Sequence, residues 1–115
     1  MEILEKKLND LHVISLSGRL DAYSSTELER KLNSLIDAGQ VKQVISLDKL
    51  EYISSSGLRV FLAALKKARS QQGDIKLAGL KPFVKEVFDI TGFTQFFDLS
   101  DTEEAAVNAF SQSQL

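Results

Sequence analysis

The order of apolar segments along this chain predicts a single α/β domain with a central mixed β-sheet. Three observations lead there. Apolar residues recur first at strand spacing, then alternately at helix and strand spacing, roughly in the order ββαβαβαβα. Turn formers fall between those segments, and no linker, repeat or low-complexity stretch interrupts them. A chain of 115 residues, 43% hydrophobic and 26% charged, is long enough for one core and too short for two ordinary domains.

Ile3 to Leu8 reads as the first strand, and Asn9-Asp10 as a turn. His12 to Ser17 is the second strand, with Ile14 and Leu16 on one face and Gly18 at its end. A helix follows. Ser24 and Glu27 have the form of a capping box, Leu28, Leu32, Leu35 and Ile36 make the apolar stripe, and Gly39 is the stop. Val44 to Leu47 is a third strand, and Leu58 to Ser70 a second helix. Gln71 to Asp74 is a turn, and Ile75 to Ala78 a short strand. Lys81-Pro82 opens a helix that ends at Gly92, with Phe83, Val84, Val87, Phe88 and Ile90 as its apolar side. Phe96 to Leu99 is a candidate last strand. A final helix starts near Ser100 or Asp101, supported by Glu103 and Glu104 and carrying Ala106, Val107 and Phe110. Ser111 to Leu115 is expected to be a frayed tail.

Composition removes several functions. The net charge of −2 supplies no basic field for nucleic acid or anionic lipid. The apolar run Val60 to Leu65, flanked by Arg59 and Lys66, is far too short for membrane insertion. The charged first residues do not form a signal peptide. Without cysteine there is no disulfide, thiol nucleophile or cysteine metal site, which suits a reducing cytoplasm. His12 is the one histidine, so a histidine metal cluster is excluded and a serine triad would have to use it. Asp48, Glu51, Asp98, Asp101, Glu103 and Glu104 lack metal-loop spacing. Neither a phosphate-binding glycine loop nor a Gly-x-Ser-x-Gly elbow is present. No cofactor is expected.

Ile53-Ser54-Ser55-Ser56-Gly57-Leu58 places three hydroxyls on a strand-to-helix turn. Unpaired amides and the positive end of the helix dipole meet there. Two readings follow. Ser55 or Ser56 caps a helix starting near Gly57, which local physics alone favours. Alternatively the turn accepts a phosphoryl group, whose added charge the helix start tolerates and a docked partner does not. Asp21-Ala22-Tyr23-Ser24 also lies between a strand and a helix. If the two strands are neighbours, Asp21 and Tyr23 share one edge with Ser55; equally, Asp21 caps its own turn.

Leu16 to Asp21, Leu50 to Leu58 and Lys81 to Phe93, in that order and spacing, resemble the STAS domain, and specifically the stand-alone bacterial anti-sigma factor antagonists. The resemblance spans nearly the whole chain. It implies a mixed sheet with helices packed mainly on one face, and a partner switch rather than an enzyme. The unphosphorylated form of such proteins binds an anti-sigma factor that is also a serine kinase of the histidine-kinase-like ATPase fold, which frees the sigma factor. Phosphorylation releases the antagonist, and a PP2C-type phosphatase resets it. Carried onto this chain, the resemblance puts the phosphate on Ser55, with Ser56 and Ser54 as alternatives. The partner-binding set is Asp21, Tyr23, Ser24, Ser54, Ser56, Gly57, Leu58 and Arg59, with Ser56 as the helix cap; Tyr23 and Leu58, read as exposed apolar residues, suit either such a partner or a dimer. The family usually has Asp where this chain has Ser54, and often an acid or amide where it has Ser46. Two other roles compatible with the same surface are an unmodified STAS subunit of a stress-signalling or lipid-transport assembly, and a small-molecule or nucleotide sensor.

Overall fold

The computed structural model describes residues 1–113. Its elements are β1 (Glu2–Leu8), β2 (Leu11–Leu20), α1 (Ala22–Asp37), β3 (Lys42–Ile53), α2 (Ser55–Ser70), β4 (Asp74–Ala78), α3 (Pro82–Thr91), β5 (Asp98–Ser100) and α4 (Glu103–Ser113), in the expected ββαβαβαβα order. The five strands lie side by side in sequence order. β1 runs antiparallel to β2, and all later pairs are parallel. Asn9, in the hairpin turn, holds φ 59°, a left-handed conformation that asparagine tolerates.

Alternation along the strands divides the sheet into two faces. On one face Ile14 and Leu16 of β2, Ile45 and Leu47 of β3, and Ile75 and Leu77 of β4 are fully buried in the main core. The apolar stripes of α1, α2 and α3 cover them. Phe61 of α2 stacks on Phe88 of α3, and Phe97 meets Phe88 edge-on at 5.9 Å. On the other face α4 lays Ala106 and Phe110 over Leu11, Val13, Val44 and Ala78. Three helices on one face and one on the other agree with the expected packing.

Two polar ties fasten α4. Lys76 is buried beneath Phe110, its ammonium 4.9 Å from the ring centroid and 2.5 Å from Asp98. Ser46 donates its hydroxyl to Glu103 Oε1 at 2.9 Å, and Lys6 reaches Glu103 Oε2 at 2.8 Å. β1, β3 and α4 therefore meet at one carboxylate.

Several boundaries differ from the sequence reading. β3 runs on to Ile53, beyond Leu47, because Leu50 and Ile53 keep facing the core while Asp48, Lys49 and Glu51 face solvent. β2 passes through Gly18, whose φ of 97° accommodates a register shift against β3. α1 begins at Ala22, with Asp21 rather than Ser24 as its cap, and α2 begins at Ser55 rather than Leu58. Phe93–Phe96 forms a 3₁₀ turn, and β5 starts only at Asp98, because Phe97 turns into the core instead of pairing in the sheet. α4 starts at Glu103 and continues to Ser113 through the stretch expected to fray; residues 114 and 115 lie outside the described residues.

The Lys6 ion pair, then the Ser46 hydroxyl, hold the Glu103 carboxyl below its ordinary value of 4.5. A carboxylate lowered by folding contributes stability above its unfolded value and loses it as pH falls through the folded one. Stability should therefore decline below about pH 4.5, and Glu103→Gln should remove part of that decline, under about 1 kcal/mol for so exposed a pair. Urea unfolding of both proteins between pH 7 and pH 3 checks this. Identical pH slopes would show that the carboxylate adds nothing.

Candidate functional site

Parallel pairing of β2 with β3 continues to the ends of both strands, through Arg19 opposite Tyr52 and Leu20 opposite Ile53. One further bond joins Ser54 N–H to the Leu20 carbonyl at 2.9 Å. Asp21 and Ser54, the next residues after the two strands, therefore leave the same sheet edge side by side. Each starts a helix.

Asp21 accepts from the Ser24 amide at 2.9 Å, and the Ser24 hydroxyl accepts from the Asp21 amide at 3.0 Å. The capping box is thus Asp21 with Ser24, not Ser24 with Glu27. The Ser24 amide, and second the Ser24 hydroxyl, whose oxygen lies 3.0 Å from Asp21 Oδ1, hold the Asp21 carboxyl below the ordinary aspartate range. Ser24 is buried and donates onward to the Arg19 carbonyl at 2.9 Å. Its hydroxyl is committed to the turn. Tyr23 stands out, 88% exposed.

In the second turn Ser54 is the cap. Its backbone is still extended, at φ −90° and ψ 167°, and its hydroxyl accepts from the Gly57 amide at 3.1 Å. The helix thus begins at Ser55, three residues before Leu58, and neither Ser55 nor Ser56 is the cap. Ser55 occupies the first helical position with its side chain exposed, and Ser56 is half-buried. Helix geometry leaves their two amides without an intrahelical acceptor. Gly57 is buried against β2 and β3. A Cβ there would stand 2.8 Å from Leu20 Cδ2 and 3.1 Å from Ile53 Cγ1. Leu58 is only 2% exposed and belongs to the core, contrary to its expected surface role, because helix α2 turns that position onto the sheet.

Asp21, Tyr23, Ser54, Ser55, Ser56 and Arg59 thus come together at one edge, while Ser24, Gly57 and Leu58 build it from beneath. A groove of about 370 Å³ separates α1 from α2, lined by Ser25, Thr26, Glu29, Ser56 and Arg59 among others. Two residues escaped the sequence reading as a pair. The Arg19 guanidinium lies over the Tyr52 ring, 4.3 Å from its centroid, and extends the exposed edge. Both stood in quoted motifs, but only the strand register makes them neighbours.

His12 pairs with Gln43 at the opposite end of β3, roughly 30 Å along the strand from Ser54, and its Nε2 bonds Glu5. It cannot act as a base for the serines. Among the described residues no three His, Cys, Asp or Glu side chains form a metal cluster, and no helix is long and apolar enough to cross a membrane.

A family model for the STAS domain matches residues 3–106. BtrV of Bordetella bronchiseptica is 38% identical over 96% of this chain and 95% of its own length. The anti-sigma-B factor antagonist of Bacillus subtilis is 35% identical over 86% of this chain and 89% of its own. Among solved structures, an anti-sigma factor antagonist from Mycobacterium paratuberculosis superimposes with a TM-score of 0.86 at 24% identity, covering 94% and 92% of the two chains. Unphosphorylated SpoIIAA gives 0.75 at 22% identity over 96% and 98%, and the phosphorylated form of Bacillus SpoIIAA 0.76 at 22% over 95% and 99%.

Ser54→Ala should cost about 1 kcal/mol of stability through the lost cap, and Ser54→Asp should keep most of it. Denaturant unfolding decides: an unchanged Ser54→Ala midpoint would mean that the hydroxyl does not hold the helix start. Gly57→Ala should cost about 1–3 kcal/mol through crowding of Leu20 and Ile53.

Proposed function

The chain belongs to the STAS domain family, and from that premise we propose that it is an anti-sigma factor antagonist switched by phosphorylation at Ser55. It acts by binding, not by catalysis. In the unphosphorylated state the edge formed by Asp21, Tyr23, Ser54, Ser55, Ser56 and Arg59 docks onto an anti-sigma factor in the cytoplasm and so frees a sigma factor. The observation that carries this reading is the exposed Ser55 hydroxyl at the first position of α2, beside the Asp21 turn.

The partner is also the kinase. Ser55 Oγ attacks the γ-phosphorus of ATP, the bond to the ADP oxygen breaks, and the hydroxyl proton passes to a base of the kinase. The product carries about −1.5 to −2 charges and three new acceptor oxygens. The helix start accommodates that charge, since it favours anions. A partner lying over the turn meets both charge and bulk and leaves. A PP2C-type phosphatase hydrolyses the ester and restores the hydroxyl. Because Ser54 rather than Ser55 caps the helix, the modified hydroxyl is not one the fold depends on.

Incubation with the cognate kinase and ATP, followed by mass spectrometry, should place one phosphate on Ser55. Ser55→Ala should bind the kinase as wild type does, and Ser55→Asp should bind at least about tenfold more weakly, a loss of about 1.4 kcal/mol. Unmodified Ser54, Ser55 and Ser56 with binding intact would instead indicate a docking subunit that is never phosphorylated. Equal binding of Ser55→Ala and Ser55→Asp would refute the charge argument.

A further inference from the structure

Arg59 lies one helical turn after Ser55 and is exposed on the first turns of α2. Side chains at this separation are neighbours on a helix, and a helical side chain leans toward the N-terminus of its helix. The long stem of Arg59 can therefore reach back over the first turn, toward the Ser55 position. Its guanidinium makes no ion pair or hydrogen bond among the described residues. Glu29 lines the same groove between α1 and α2 but does not pair with it. Arg19, the other arginine of this edge, is already engaged over the Tyr52 ring. The edge thus keeps an uncommitted cation one turn from the hydroxyl that is modified.

The geometry points to Arg59 as the internal receiver of the Ser55 phosphate. This rests on the phosphorylation of Ser55 proposed above and adds what happens next. In the unphosphorylated chain the guanidinium is free for an acidic group of the partner. Once phosphate is present, Arg59 folds back and donates to its oxygens, beside the two open amides of Ser55 and Ser56. One event then does two things. It places a dianion on the docking edge, and it withdraws the nearest free cation from it. The edge gains the phosphate's charge and at the same time loses the guanidinium as a donor to an acidic group of the partner. The phosphate is also held in one orientation on a rigid helix instead of moving freely above the surface.

The test uses the full chain with phosphoserine installed at position 55 during synthesis, so no kinase is needed. Phosphorus NMR follows the second ionisation of the phosphate as pH is varied. With Arg59 present, that ionisation should lie below the ordinary value of about 6, and Arg59→Gln should raise it by about half a unit or more. Arg59→Lys should restore part of the shift, since the charge remains and the forked geometry does not. Without phosphate, wild type and Arg59→Gln should melt alike; with phosphate, Arg59→Gln should melt lower. The same phosphate ionisation in wild type and Arg59→Gln would overturn the inference and leave the helix amides as sole holders. A kinase that ignores Ser55 is a separate failure, of the proposed function, and leaves these ionisation values as they are.

Discussion

Parallel pairing of β2 with β3 right to the strand ends is the constraint on which the site depends. If the pairing stopped at Ser46, opposite Ser15, the two helix starts would hang on separate loops. It continues instead through Leu20 opposite Ile53, and the Ser54 amide closes on the Leu20 carbonyl. Both helices then leave from adjacent, fixed points. Gly57 shows how closely the parts fit, since α2 begins so near Leu20 and Ile53 that no Cβ fits without crowding. The backbone of such a surface is already ordered, so the conformational entropy that docking would cost falls on exposed side chains such as Tyr23 and Arg59.

The turn separates two tasks that three neighbouring serines first leave confused. Ser54 holds the helix start and Ser55 is presented to solvent. The resemblance to the STAS family leads one to expect Asp at the position of Ser54, and a carboxylate and a hydroxyl are comparable as helix caps. A serine there keeps the turn and leaves no negative charge of its own beside Ser55. A similar exchange occurs beneath the sheet. Ser46, where the resemblance leads one to expect an acid or amide, donates to the Glu103 carboxylate, so α4 supplies an acid beside β3.

Element order, sheet type and the shared edge were legible because they follow from apolar spacing and from the position of turns. Boundaries were less so. Asp48, Lys49 and Glu51 break the apolar run of β3 and hide its last residues, although Leu50 and Ile53 stay on the core face. The α1 start offers two capping pairs, Asp21 with Ser24 and Ser24 with Glu27. Only the extended backbone of Asp21, fixed by the strand before it, selects the first. Among the serines the choice of cap depends on where β3 ends, which is set by its bond to Leu20. Leu58 looked like an exposed contact because its place on the buried stripe of α2 depends on a helix start read three residues late. The Arg19–Tyr52 contact needs the strand register, which crosses two bulges, and no local pattern announces it.

On the proposed function, the Asp21 turn and the serine turn act as one docking surface. Amide chemical-shift mapping on adding the unlabelled anti-sigma kinase tests it most directly. Asp21 to Ser24 and Ser54 to Arg59 should shift together along one binding isotherm, while β1 and α4 stay still. Shifts centred on β1 or α4, or on one turn without the other, would contradict it.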